Sequence, residues 1–261
     1  MISRFGNNEL DATLNFRKGH PLSFLRNSFP FWCGENTKTR MLVNAGFFPI
    51  DNKSLAHFAD LITDVSKEID ILGIMTGYEF NLPEIKDCKK VPIYLLEPFW
   101  SLKPWTAVLK GKKVLVIHPF EESIRNQYQK RELLFNNSDV LPQFATLSTI
   151  KAVQSIGGET NGFDSWFDAL HSMEKQIDNI DYDIALIGCG AYGMPLAAYC
   201  KRQGKKAVHL GGALQILFGI FGKRWEYDEY PHRHLVNEHW TRPLDSEKPD
   251  NANNVEEACY W

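Results

Sequence analysis

The chain has few cysteines and none in a chelating pattern. Cys33, Cys88, Cys189, Cys200 and Cys259 are odd in number, widely spaced and form no C-x-x-C. That spacing excludes a disulfide framework and a zinc ribbon, and it predicts a reducing, cytoplasmic setting. Long apolar runs are missing as well. The run from Ala213 to Phe221 is interrupted by Gln215 and Gly219, far short of the roughly 20 residues a spanning helix needs. The opening Met1-Ile2-Ser3-Arg4 lacks the apolar stretch of a signal peptide, so the expectation is a soluble protein with no membrane span. Neither charge dominates: 29 Lys and Arg face 32 Asp and Glu, for a net charge of −3. Nothing in that balance suits wrapping nucleic acid or an anionic membrane. Internal repeats, low-complexity linkers, G-x-S-x-G, Walker sequences and Cys–His nucleophile patterns are all absent.

What remains is an ordinary globular composition with strong periodicity. The 261 residues are 44% hydrophobic and 13% aromatic, with seven Trp, enough for a core without staples. The aromatic share suits a large core and also a ring-binding cleft. Leu55, Phe58, Ile62, Val65 and Ile69 line one helical face, and Trp166, Leu170, Met173, Ile177 and Ile180 line another. Asp70 and Asp183 then lead into the apolar runs 71–75 and 184–187, which read as buried parallel strands. Further strands are expected at 91–96, 113–118, 145–150 and 206–210, with helices at about 121–135 and 192–203. Strands alternating with helices predict a single Rossmann-like α/β domain over residues 1–261. Its sheet is expected to hold about six mostly parallel strands, with helices on both faces. An irregular segment from about Arg224 is expected to pack back through Trp225, Trp240, Tyr260 and Trp261. In such folds ligands sit at the carboxyl ends of the strands. That directs attention to Thr76–Glu79, Glu97–Trp100, His118–Phe120, Gly188–Tyr192 and Gly211–Gly212.

Asp183–Gly193 reads D-I-A-L-I-G-C-G-A-Y-G. Gly188, Gly190 and Gly193 fit a strand–turn–helix element whose N–H groups approach a phosphate, with Tyr192 in the turn. A nicotinamide site would place an acid at the end of the next strand, but that strand ends His209-Leu210-Gly211-Gly212. Two readings stay open: a nucleotide diphosphate at this turn, or small residues needed for strand–helix packing. Gly211-Gly212 forms a second such turn, and Lys223 and Arg224 beyond it supply two cations suited to a diphosphate.

The amino terminus reads S-R-F-G-N-N-E-L. Asn7 or Asn8 suits a helix N-cap and Glu9 its first turn, which leaves Arg4-Phe5-Gly6 unexplained. Here the chain resembles the bacterial GT-D-fold glycosyltransferases, which carry R-F-G-D-x-E at this point and a late strand–glycine-turn–helix–strand unit. The likeness runs from residue 3 to about 212 and includes His118-Pro119-Phe120. Residues 222–225 and 258–261 have no counterpart in it. The resemblance implies transfer of a sugar from a nucleoside-diphosphate sugar to a glycan or other acceptor in polysaccharide biosynthesis. It implies a nucleotide site at Arg4, Gly6, Asn7, Gly188, Gly190, Gly211 and Gly212, and Mg²⁺ or Mn²⁺ at Asn7 and Glu9; Tyr192 of the turn and the cations Lys223 and Arg224 join that site on the reading of the residues themselves. Asn7 stands where the family has Asp, and an amide supplies an oxygen but no charge. Three outcomes stay open: a weaker metal site, metal-free binding by the cations, or a non-catalytic nucleotide- or sugar-binding partner.

Glu9, Glu97 and His118 are the catalytic candidates. Glu97 beside Phe99 and Trp100 suits a base for an acceptor hydroxyl, with the rings against a sugar; a charged loop residue beside core aromatics is the other reading. His118 at a strand end suits ligand contact or a satisfied buried ring. His232, His234 and His239 lack the companions of a zinc site, and Cys189 reads as a small buried residue.

Overall fold

The computed structural model describes residues 1–18, 34–227, 229–255 and 257–261. Seven parallel strands form one sheet: β1 (Ile2–Arg4), β2 (Ile71–Ile74), β3 (Lys89–Pro92), β4 (Lys113–His118), β5 (Thr146–Lys151), β6 (Ile184–Ile187) and β7 (Lys206–His209). Their order is β3-β2-β1-β7-β6-β4-β5. The inner strands read as unbroken apolar runs because both their faces are covered. Leu115 and Ile117 of β4 enter one core layer, while Val114 and Val116 enter the other. Ala185 and Ile187 of β6 divide from Ile184 and Leu186 in the same way.

The helices are α1 (Asn7–Lys18), α2 (Glu35–Val43), α3 (Asn52–Ser66), α4 (Glu121–Tyr128), α5 (Arg131–Leu134), α6 (Trp166–Ile177), α7 (Gly193–Arg202) and α8 (Ala213–Leu217). The two periodic segments fold as expected. Asp51 caps α3 by accepting the Ser54 N–H at 2.9 Å, and Ser165 caps α6 by accepting the Asp168 N–H at 3.2 Å.

Four expectations change. Three-residue β1 makes a seventh strand, too short for its own periodicity to announce. The strand expected at 91–96 is β3, ending at Pro92. A proline lacks the N–H to continue the ladder, and 93–96 turn into a 3₁₀ helix. Glu97–Trp100 therefore lies in 3₁₀ turns and not at a strand end. The helix expected at 121–135 divides into α4 and α5.

Consecutive positions across the sheet send their chains to opposite faces. β1 leads to α1 and β6 to α7 on one face; β7 leads to α8 and β4 to α4 on the other. Such divergence opens a crevice at the carboxyl ends of the strands. β1 lies between β2 and β7, with Ile2 opposite both Ile71 and Val208. The first residues after β1 thus lie beside the turn after β7. The segment from Arg224 onward holds short 3₁₀ turns and packs back as expected, burying Trp225, Trp240 and Trp261 in the α4–α8 layer.

Candidate functional site

A cavity of about 740 Å³ lies over the carboxyl ends of the strands, a size typical of small-molecule sites. Its lining includes Arg4, Gly6, Asn7 and Glu9 after β1, Glu97 beyond β3, and His118 at the end of β4. Gly188, Gly190 and Tyr192 follow β6, Gly211 and Gly212 follow β7, and Arg224 and Tyr260 come from the closing segment. The early motif and both late glycine turns thus share one space. Lys223 does not line it; its ammonium pairs with Glu257 at 2.9 Å.

Arg4 is held in place by its own neighbours. Its Nε–H donates to the Phe5 carbonyl at 2.9 Å and its Nη2 contacts the Met75 sulfur at 3.4 Å. A β-carbon on Gly211 would lie 3.2 Å from Arg4 Nη1, and Gly211 has φ +60°. The left-handed backbone favours glycine here, and the guanidinium lies close against it. Burial lowers the Arg4 pKa, while Glu9, Tyr260 and Glu97 act against that and Arg224 adds to it. The guanidinium stays charged at any ordinary pH. The Arg224 guanidinium stacks 4.7 Å over the Tyr260 ring and donates to its hydroxyl at 3.2 Å.

Glu9 folds back over Gly6. A β-carbon there would meet Glu9 Oε2 at 2.0 Å, so only glycine leaves room for the carboxylate. Burial raises the Glu9 pKa, against the pull of its own main-chain N–H and of Arg4. The helix starts at Asn7, and Leu10 N–H donates to the Gly6 carbonyl at 3.0 Å. Neither Asn7 nor Asn8 is thus the cap. Asn7 and Glu9 both line the cavity, and they offer one charge between them. Among the described residues no three His, Cys, Asp or Glu gather as metal ligands. One amide and one carboxylate are a weaker donor set for Mg²⁺ or Mn²⁺ than the Asp and Glu that the resemblance would supply. Arg4 stands as the cation beside Glu9.

Glu97 is anchored through one oxygen. Its Oε2 accepts Trp100 Nε1–H at 2.6 Å and contacts His232 Nε2 at 3.0 Å. Its Oε1 has no partner among the described residues. His232 is thus tied to Glu97, and His234 is exposed. Tyr192 turns inward: its ring stacks 4.7 Å from Trp166 and its hydroxyl shares a 2.7 Å hydrogen bond with Ser155. It packs the turn, and its polar end is spent. Gly188 is required on steric grounds, since a β-carbon would lie 2.7 Å from the Gly211 carbonyl and 2.9 Å from His118 Cδ2.

The sequence reading passed over His209, Tyr260 and Arg40, which also line the cavity. His209 stood directly before the Gly211-Gly212 turn and was findable there. Nothing local marks Tyr260 or Arg40. Cys88, Cys189, Cys200 and Cys259 form no disulfide with one another, and burial pushes the Cys189 thiol up, away from the reactive thiolate. Cys33 lies outside the described residues. No helix among the described residues is long and apolar enough to cross a membrane.

The chain matches no protein-family model, no curated protein and no solved structure.

Proposed function

We propose that the protein is a glycosyltransferase that moves a sugar from a nucleoside-diphosphate sugar to a hydroxyl acceptor such as a glycan. One observation carries this reading: Arg4 lies against Gly211, with the Gly188 turn beside it, inside one cavity. That places a fixed cation and two glycine turns where a diphosphate needs charge and close backbone approach. Among the charged side chains of the lining, three arginines outnumber two glutamates, which favours an anionic guest.

In this mechanism Arg4 and Arg224 hold the diphosphate and stabilise the charge that grows on it as it leaves. Such stabilisation is the main catalytic demand of the reaction. Glu9 balances Arg4 and accepts hydrogen bonds from donor hydroxyls. Glu97 Oε1 takes the proton of the acceptor hydroxyl while that oxygen bonds to the anomeric carbon. The bond from that carbon to the diphosphate oxygen breaks, and its electron pair leaves with the nucleoside diphosphate. Trp100 and His232 hold Glu97 Oε2 and so aim Oε1.

The test follows release of UDP or GDP from a panel of UDP- and GDP-sugars, with and without Mn²⁺. Turnover that Glu9→Gln and Glu97→Gln each reduce at least a hundredfold supports the transferase. Tight nucleotide binding with no turnover across donors and acceptors assigns a binding partner instead, the reading that Asn7 favours.

A further inference from the structure

His118 ends β4 beside the Gly188 turn that ends β6, and the chains from these neighbouring strands leave to opposite faces of the sheet. The imidazole is 3% exposed and has one protein partner: its Nδ1 accepts the Phe120 N–H at 3.0 Å. A nitrogen that accepts from an N–H carries no proton, so in the neutral ring the proton resides on Nε2. Cδ2, the carbon next to Nε2, lies 2.9 Å from where Gly188 would carry a β-carbon. The ring thus packs closely against the glycine turn. Nε2 has no protein partner among the described residues, and the residue lines the cavity.

We propose that His118 is a fixed, uncharged Nε2–H donor that binds a phosphoryl oxygen of the nucleotide beside the Gly188 turn, and not an acid or a base. This assignment rests on the nucleotide reading of the cavity. The lone pair that a base would need is committed to Phe120. Phe120 and the Gly188 turn, which pack against the ring, are uncharged. Arg4, Glu9, Glu97, Arg224 and His209 line the same cavity, yet burial alone acts on the ring and pushes its pKa down to about 3. The donor is therefore present, unchanged, across the physiological range. A neutral donor adds direction to the diphosphate site without adding charge, which the arginines already supply.

Two variants separate the two ends of the ring. His118→Asn keeps an oxygen near Nδ1 for the Phe120 N–H and removes the donor facing the cavity. His118→Gln keeps a donor near Nε2. Nitrogen-15 spectra of the ligand-free protein should show a neutral Nε2–H ring unchanged from pH 5.5 to pH 8. UDP titrations by calorimetry should give about tenfold weaker binding for His118→Asn, and binding within threefold of wild type for His118→Gln. A ring that titrates in that range, or His118→Asn binding UDP like wild type, overturns the assignment while leaving the nucleotide site standing. Wild-type protein that binds neither UDP nor GDP overturns the nucleotide reading, and the phosphate contact of His118 with it.

Discussion

The carboxylate of Glu9 lies directly over the α-carbon of Gly6, so that a β-carbon on residue 6 would come within 2.0 Å of Oε2. The obstacle is the tip of a flexible side chain, which moves cheaply. Gly6→Ala should therefore fold with a melting temperature within a few degrees of wild type, yet displace the Glu9 carboxylate. On the transferase reading, turnover falls at least tenfold while UDP affinity stays within threefold. A Gly6→Ala protein with full activity assigns Glu9 no role that depends on its position.

The two adjacent cations after α8 should behave differently. Arg224 lines the cavity, whereas Lys223 faces Glu257 outside it. Lys223→Ala should leave UDP affinity within twofold of wild type. Arg224→Ala should weaken it by about tenfold, the loss of one charge-assisted contact. Equal losses in calorimetry would place both cations on the ligand and contradict the geometry.

Glu247 ties the irregular carboxyl-terminal segment to the body. Helix α4 has no side-chain cap of its own. Glu247, 4% exposed, accepts the Glu122 and Ser123 N–H groups at 2.8 and 3.2 Å and also the Ser123 hydroxyl. Negative charge at a helix N-terminus is favourable, and loss of a buried acceptor orphans its donors. Glu247→Ala should cost about 2–4 kcal/mol by urea denaturation, with Glu247→Gln intermediate. A midpoint unchanged by Glu247→Ala would mean that the segment contributes little to stability.

Acid should weaken the fold through two histidines. His118 and His209, 3% and 5% exposed, are each held neutral by burial, their pKa pushed from 6.5 down to about 3. The Arg4 charge adds to the effect on His209, while a hydrogen bond with the Arg4 main chain opposes it. Between those values the unfolded chain binds protons that the folded chain refuses, so stability falls as pH drops below 6.5. From pH 6.5 to 5 each ring costs about 2 kcal/mol. Glu9 acts in the opposite direction, because its raised pKa lets the folded chain bind a proton more readily. Comparing wild type with His118→Asn at pH 7 and pH 5 isolates one ring, and the variant should lose about 2 kcal/mol less. Identical losses would show that His118 protonates in the folded protein.

Much of the architecture was legible in sequence. Apolar runs after Asp70 and Asp183 marked strands buried on both faces, and 3-4 spacing marked α3 and α6. What the pattern missed has a physical cause. Strand β1 is three residues long and is held by neighbours on both sides, not by a periodicity of its own. Pro92 sits inside an apolar stretch that otherwise reads as strand. In the site, Gly188, Gly211, Arg4 and Glu9 were visible because unusual local residues marked them. Tyr260 and His232 read only as a packing aromatic and an incomplete zinc pattern, and their place in the cavity was not legible, since they enter it from an irregular segment.

The choice between Lys223 and Arg224 illustrates the division. Sequence alone determined a parallel α/β sheet and two glycine turns that admit close backbone approach. Each of these follows from local sterics or from hydrophobic period. Only the tertiary structure decided that β1 inserts between β2 and β7, bringing Arg4 to Gly211, and that Arg224 but not Lys223 lines the cavity. Strand order and side-chain direction depend on which distant surfaces bury one another, and no window of neighbouring residues encodes that.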